Sequence, residues 1–274
     1  MIAGVRQFKL INGNGDEYDM TRPEALFFEP NGLGWGQNAT LMKAGDGYIL
    51  TDLQSAQPAP TGSMVFRTYQ EYETFLAFLQ VGTLTLCYMP ISTWRYLDVI
   101  ASIDKSEIDW QNDHLTCPMT FTALSGWYEK QVAYQAAGSG TGKVYNYTYD
   151  YTYTAGSSGA VEIANGNLES YPRIVIFGPA TNPSWALYKG NDRLATGTVN
   201  LYLPSGHKLI IDANPATMEI GEYLSDDSFV ADRYGDSDFS TERFFMLPPG
   251  DCRVVFTQDG PGTLTAFVEV KKRV

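Results

Sequence analysis

Apolar side chains recur at every second position of this chain, in short runs broken by Gly, Pro, Asn and Asp. A period of two is that of a strand with one buried face. Leu84, Leu86 and Tyr88 share one face, with Thr83, Thr85 and Cys87 opposite. Val199, Leu201 and Leu203 alternate with Asn200 and Tyr202, and Leu264, Ala266, Val268 and Val270 face away from Thr263, Thr265 and Glu269. Ile174 to Phe177 is a continuous apolar run, as in a strand buried on both sides. With 18 Tyr and 14 Phe set among 26 Gly and 14 Pro, the pattern predicts an all-β protein rich in turns.

One segment departs from this period. Between Thr68 and Gln80, Tyr72, Phe75, Leu76 and Leu79 stand at i, i+3, i+4 and i+7, the stripe of an amphipathic helix. Thr68 and Glu71 have the spacing of a capping box, and Gly82 sits where a helix stops. The spacing predicts a helix over 68–80 whose stripe is core packing. A length of 274 residues predicts about two domains. The small, flexible stretch Gln131 to Lys143 places the boundary near 130–142. The expectation is an N-terminal β domain with the helix over 1–138 and a purely β domain over 139–274.

Charge and residue counts narrow the chemistry. With 31 acids against 19 Lys and Arg, the formal net charge is −12, which argues against a protein built to grip nucleic acid. No apolar run reaches the roughly 20 residues of a membrane helix. Met1 to Leu10 lacks the apolar block of a signal peptide. No membrane anchor is expected. Cys87, Cys117 and Cys252 are far apart, without a C-x-x-C, and read as buried thiols of a reducing compartment.

The candidate motifs each fall short of chemistry. Gly138 to Lys143, GSGTGK, lacks the first Gly and last Ser/Thr of a phosphate loop and reads as a linker. Tyr145, Tyr147, Tyr149, Tyr151 and Tyr153 alternate with polar residues and put five rings on one strand face. That row suits sheet packing or a subunit interface, and alternatively a sugar-stacking platform. Glu222 to Glu242 holds seven acids (with Asp226, Asp227, Asp232, Asp236 and Asp238) and Arg233, without an EF-hand pattern; it reads as a solvated acidic loop. His114 and His207, the two histidines, sit in turn-like contexts, and no G-x-S-x-G elbow occurs. Asn38-Ala39-Thr40 and Asn146-Tyr147-Thr148 match the glycosylation sequon. No catalytic, cofactor-binding or metal-ligating residue is assigned, no cofactor is expected, and the chain does not read as an enzyme.

Three ordered stretches carry a resemblance. Phe8 to Asn12, Asp16 to Met20 and Phe27 to Gly34 form the first; Tyr171 to Pro183 the second; Phe245 to Asp251, leading into Cys252 to Phe256, the third. Together they resemble the distal tail proteins (Dit) of siphophage tails and baseplates. The resemblance implies a ring-forming N-terminal β domain with one helix, then a galectin-like β-sandwich. It implies a homohexameric hub in the virion, at the distal end of the tail, made in the bacterial host cytoplasm. The implied partners are the tail tube protein, a tail-tip protein of the tail-associated lysin type and receptor-binding proteins, with DNA only in transit. The proline-bearing segment Gln54 to Met64 is expected to be the arm that reaches a neighbour. The alternatives are a carbohydrate-binding β-sandwich module and a receptor-binding protein of the same tail.

Overall fold

The computed structural model describes residues 6–105, 108–109, 114–134, 159–260 and 264–273. The chain divides into two compact units, residues 1–129 and 130–274. Both are built from antiparallel strands, and the described residues contain one α-helix. The linker reading at Gly138 to Lys143 and the tyrosine row 145–153 lie outside the described residues. So does the expected junction beyond residue 134.

In the first unit, Gln7–Ile11 lies between Glu17–Asp19 and Leu84–Met89. The series continues through Arg95–Ile103, His114–Ala123, Thr61–Phe66, Ala25–Asn31 and Thr21–Arg22. Its ends meet: the Met20 N–H donates to Phe8 O and the Phe27 N–H to Met20 O. The sheet thus curls around a core that includes Leu10, Met64, Phe66, Leu86, Leu97 and Phe121. Phe8 and Phe27 meet edge to face across it, 5.1 Å between ring centres. Gly62 leaves the space that Phe27 occupies; an added Cβ would stand 2.4 Å from the ring.

The helix runs Tyr69–Leu79 and buries Tyr72 and Phe75, two of the predicted stripe. Thr68 caps it, accepting the Glu71 N–H at 3.2 Å. The other half of the capping box is replaced. The Glu71 carboxylate accepts from Arg22 Nη2 at 2.6 Å and from the Tyr18 hydroxyl at 3.2 Å. A guanidinium is a stronger partner for a carboxylate than a neutral backbone N–H. Gly82 turns at φ +63°, and a Cβ there would meet the Gly13 backbone at 3.1 Å.

Leu84 and Leu86 point to the core as predicted, but the opposite face is not open. Cys87 is fully buried, beside Tyr96 and Tyr128, whose rings stack at 5.8 Å. Tyr128–Tyr134 runs across the division between the units.

In the second unit two sheets share one core. One has the order Phe229–Asp232, Glu219–Leu224, His207–Asp212, Pro172–Phe177, Thr265–Arg273. The other has the order Gly159–Ala164, Asp251–Thr257, Ser184–Lys189, Asp192–Thr198. Ile174, Ile176, Leu209 and Val268 from the first meet Val161, Trp185, Val254 and Phe256 from the second. Pro172–Phe177 lies between two strands and has Ile174, Val175 and Ile176 buried, as its unbroken apolar run predicts. Leu264, Ala266, Val268 and Val270 alternate inward as predicted.

The strand expected through Val199 to Leu203 is broken. Val199 makes an isolated bridge to Ser237, and only Tyr202–Leu203 is a strand. The Asn200 N–H donates to Asp236 O, and the Leu201 N–H folds back to Val199 O. Val199 and Leu203 are still buried, so the alternation survives on a backbone that turns.

Candidate functional site

The residues that could carry chemistry are held in structural roles. Cys87, Cys117 and Cys252 are all buried. Burial, helped by Asp251 and Glu162, pushes the Cys252 thiol up to about 11, away from a reactive thiolate. His114 opens the strand His114–Ala123, and His207 opens His207–Asp212; neither stands in the turn expected for it.

His207 is half of a buried contact. Its Nδ1 lies 2.5 Å from Glu222 Oε1. Arg233 approaches the other oxygen, with Nη2 at 2.6 Å and Nε at 2.8 Å from Oε2. Burial alone would raise the Glu222 carboxyl. The hydrogen bonds from Arg233 and His207 outweigh it and hold the group below the ordinary glutamate range.

The acidic segment therefore departs from a solvated loop. Glu222 lies inside a strand, and Phe229–Asp232 and the short 3-10 turn Tyr234–Asp236 follow it. Register places Glu222 opposite Leu209 on the buried side of the sheet, where a charge must be paired. The other acids do local work. Asp226 accepts from the Ser228 N–H, Asp232 from the Tyr234 N–H and Asp238 from the Ser240 N–H. Asp227 pairs with Lys208, and Asp236 with Arg233. Among the described residues no group of three or more His, Cys, Asp or Glu could hold a metal ion.

An exposed surface stands out in the first unit. Gln37–Ala44 and Gly47–Ser55 form a hairpin whose strands, among the described residues, pair with each other and with no other strand. Gly45 opens its two-residue turn at φ +61°, the glycine-first pattern of a type II′ turn. Every residue of both strands is exposed, including Leu41, Met42, Tyr48, Ile49, Leu50 and Leu53. Trp35, at the hairpin's base, is 73% exposed.

The projecting element is thus not the segment expected. Of Gln54 to Met64, only the start belongs to the hairpin. Gln57 Nε2 donates to Ala123 O, and Thr61–Phe66 is a strand of the sheet with Met64 fully buried. The prolines stiffen the return into the sheet rather than an arm. Gly45-Asp46 is a hairpin-turn signal in the sequence, and it marks the turn rather than the projection. Asn38-Ala39-Thr40 lies on this hairpin, and Asn146-Tyr147-Thr148 lies outside the described residues.

Residues 7–124 match the family described as distal tail protein, N-terminal domain. The first unit is a distal tail protein domain. This match contains the curled sheet, the helix and the hairpin. No curated protein matches the chain in sequence.

Solved structures extend the likeness to the whole chain. A chain from the phage P2 baseplate in its activated conformation with Ca superposes with a TM-score of 0.69 at 15% identity, over 99% of each chain. The same baseplate with Sr gives 0.66 at 15% identity, over 97% of this chain and 98% of that one. The crystal structure of SPP1 Dit, called a paradigm of the hub adsorption apparatus in phages infecting Gram-positive bacteria, gives 0.63 at 12% identity. It is covered over 99%, and this chain over 97%. At these identities the likeness is one of fold: the distal tail domain lies within an all-β chain of distal tail architecture.

Proposed function

We propose that this chain is the distal tail hub of a siphophage: a homohexameric ring joining the tail tube to the tail-tip and receptor-binding proteins. The observation that carries this reading is the distal tail domain at residues 7–124 within a fold that matches baseplate and Dit chains over nearly its full length. Residues 1–138 form the ring, and 139–274 form a galectin-like sandwich that presents partners outward. A hub of this kind is a scaffold without catalysis. The buried thiols and the ion-paired Glu222 suit that role, because they stabilise the protein rather than offer reactive groups.

The ring would enclose a channel through which DNA passes. Each copy carries a formal −12. Acids facing the lumen would repel phosphate and keep DNA from adhering.

Labelling of intact virions tests the assignment. Gold-conjugated antibody raised against this chain should decorate the distal end of the tail, at the junction with the tip. Labelling along the whole tube or on the capsid would contradict it.

A further inference from the structure

Asn followed by Gly is the least hindered step at which a backbone nitrogen can attack a side-chain amide, because glycine carries no Cβ beside its nitrogen. The sequence holds four such steps: Asn12-Gly13, Asn14-Gly15, Asn31-Gly32 and Asn165-Gly166. The fold treats them differently. Asn165 is 7% exposed, and its Nδ2 donates to the carbonyl oxygens of Leu168, Leu247 and Pro248 at 3.3, 3.0 and 2.9 Å. Asn12 is buried. Its Oδ1 accepts from the Asn14 and Asp16 N–H groups, its Nδ2 donates to Asp16 Oδ2, and the Gly13 N–H donates to Val81 O. Asn14 is exposed, but the Gly15 N–H donates to Asn12 O at 3.0 Å, so that nitrogen is engaged away from the Asn14 side chain.

Asn31 combines what the other three lack. It ends the strand Ala25–Asn31, just past a break in that strand's register with Thr61–Phe66, and it is exposed. The Gly32 N–H donates to the Oδ1 of Asn31 itself at 2.8 Å. The amide carbon is one carbonyl bond from that oxygen, so it is held beside the nitrogen that would attack it. Gly166 makes the same contact with Asn165 at 2.9 Å, but there the departing amine is buried and held by three acceptors. Among the described residues no group holds Asn31 Nδ2. The fold also fixes the glycine: Gly32 turns at φ +69°, and a Cβ there would run into Ala59 O.

We propose that Asn31 is a site of spontaneous deamidation, with water as the co-reactant. The Gly32 nitrogen gives its proton to solvent and bonds to Asn31 Cγ. The Cγ–Nδ2 bond breaks, Nδ2 takes up a proton and leaves as ammonia, and a five-membered succinimide remains. Water then opens either ring carbonyl, giving aspartate or isoaspartate; nothing is oxidised or reduced. Both products place a new carboxylate at position 31 in a chain whose formal charge is already −12. Isoaspartate also adds a carbon to the backbone at the residue paired with Thr61, where the chain leaves the sheet toward the hairpin. The proposal is independent of the ring reading.

Peptide mapping by mass spectrometry tests this on the intact chain, incubated in mildly alkaline buffer with and without urea. Labelling by an isoaspartyl methyltransferase marks the isoaspartate product. In the native protein Asn31 is expected to convert at least about tenfold faster than Asn12, Asn14 and Asn165, since position relative to the attacked carbon sets the rate. In urea the four rates should draw together, because each step then has the same glycine neighbour and no fixed partner. Native conversion at Asn31 no faster than at Asn165, or led by Asn14, would overturn the proposal. The same ranking in urea as in buffer would overturn it too, by assigning the preference to the local sequence rather than to the fold.

Discussion

Arg233 closes on Glu222 with two donors, Nη2 at 2.6 Å and Nε at 2.8 Å from the same carboxylate oxygen. The glutamate side chain is 3% exposed. His207 takes the other oxygen, so one buried charge ties the strands Glu219–Leu224 and His207–Asp212 to the turn at Tyr234–Asp236.

Removing one partner of such a pair leaves a buried charge. Arg233→Ala is expected to destabilise the protein by about 3 kcal/mol, read from the shift in urea midpoint at pH 7. Glu222→Gln keeps an acceptor and should cost less. Because the Glu222 carboxyl is lowered in the fold, its contribution is present above the unfolded value of about 4.3. It fades as pH falls through the lowered native value. The difference between the parent and Glu222→Gln should therefore shrink between pH 5 and pH 3, by about the same urea measurement. A constant difference would contradict this account of the ion pair.

Gly62→Ala and Gly197→Ala overpack the two cores. An added Cβ would stand 2.4 Å from the Phe27 ring in the first case and 2.4 Å from the Trp185 ring in the second. Each is expected to cost about 1–3 kcal/mol by equilibrium denaturation. A neutral result would mean that the rings have room to move.

The helix start separates two contacts that the sequence pattern merges. Thr68→Ala should cost about 1 kcal/mol through the lost cap. Glu71→Gln should couple to Arg22→Met by about 0.5 kcal/mol, since the pair is only partly buried. A double-mutant cycle of Glu71 with Thr68 measures the alternative. Coupling to Thr68 larger than to Arg22 would restore the full capping box.

The thiols should be silent in the native state. Ellman's reagent is expected to titrate none of Cys87, Cys117 and Cys252 rapidly in buffer and all three in denaturant. Fast modification of the native protein would show that one of them is open.

The elements legible in the sequence are those whose period and burial agree. The helix, the strand at Ile174 to Phe177 and the inward row Leu264 to Val270 declare themselves because their side-chain spacing is also their packing. Val199 to Leu203 misleads because its alternation is kept while the Asn200 N–H goes to Asp236 O and the Leu201 N–H folds back to Val199 O. Glu222 is unreadable from a run of acids, since its burial depends on Arg233 and His207 arriving from other elements. The projecting arm is misplaced for a related reason. Proline marks stiffness, whereas projection depends on a hairpin finding nothing to pack on, and exposure of that kind has no local signature.

Negative-stain electron microscopy of the purified chain tests the ring most directly. The account predicts class averages with sixfold symmetry around a central channel. Discrete single copies, or trimers without a channel, would contradict it.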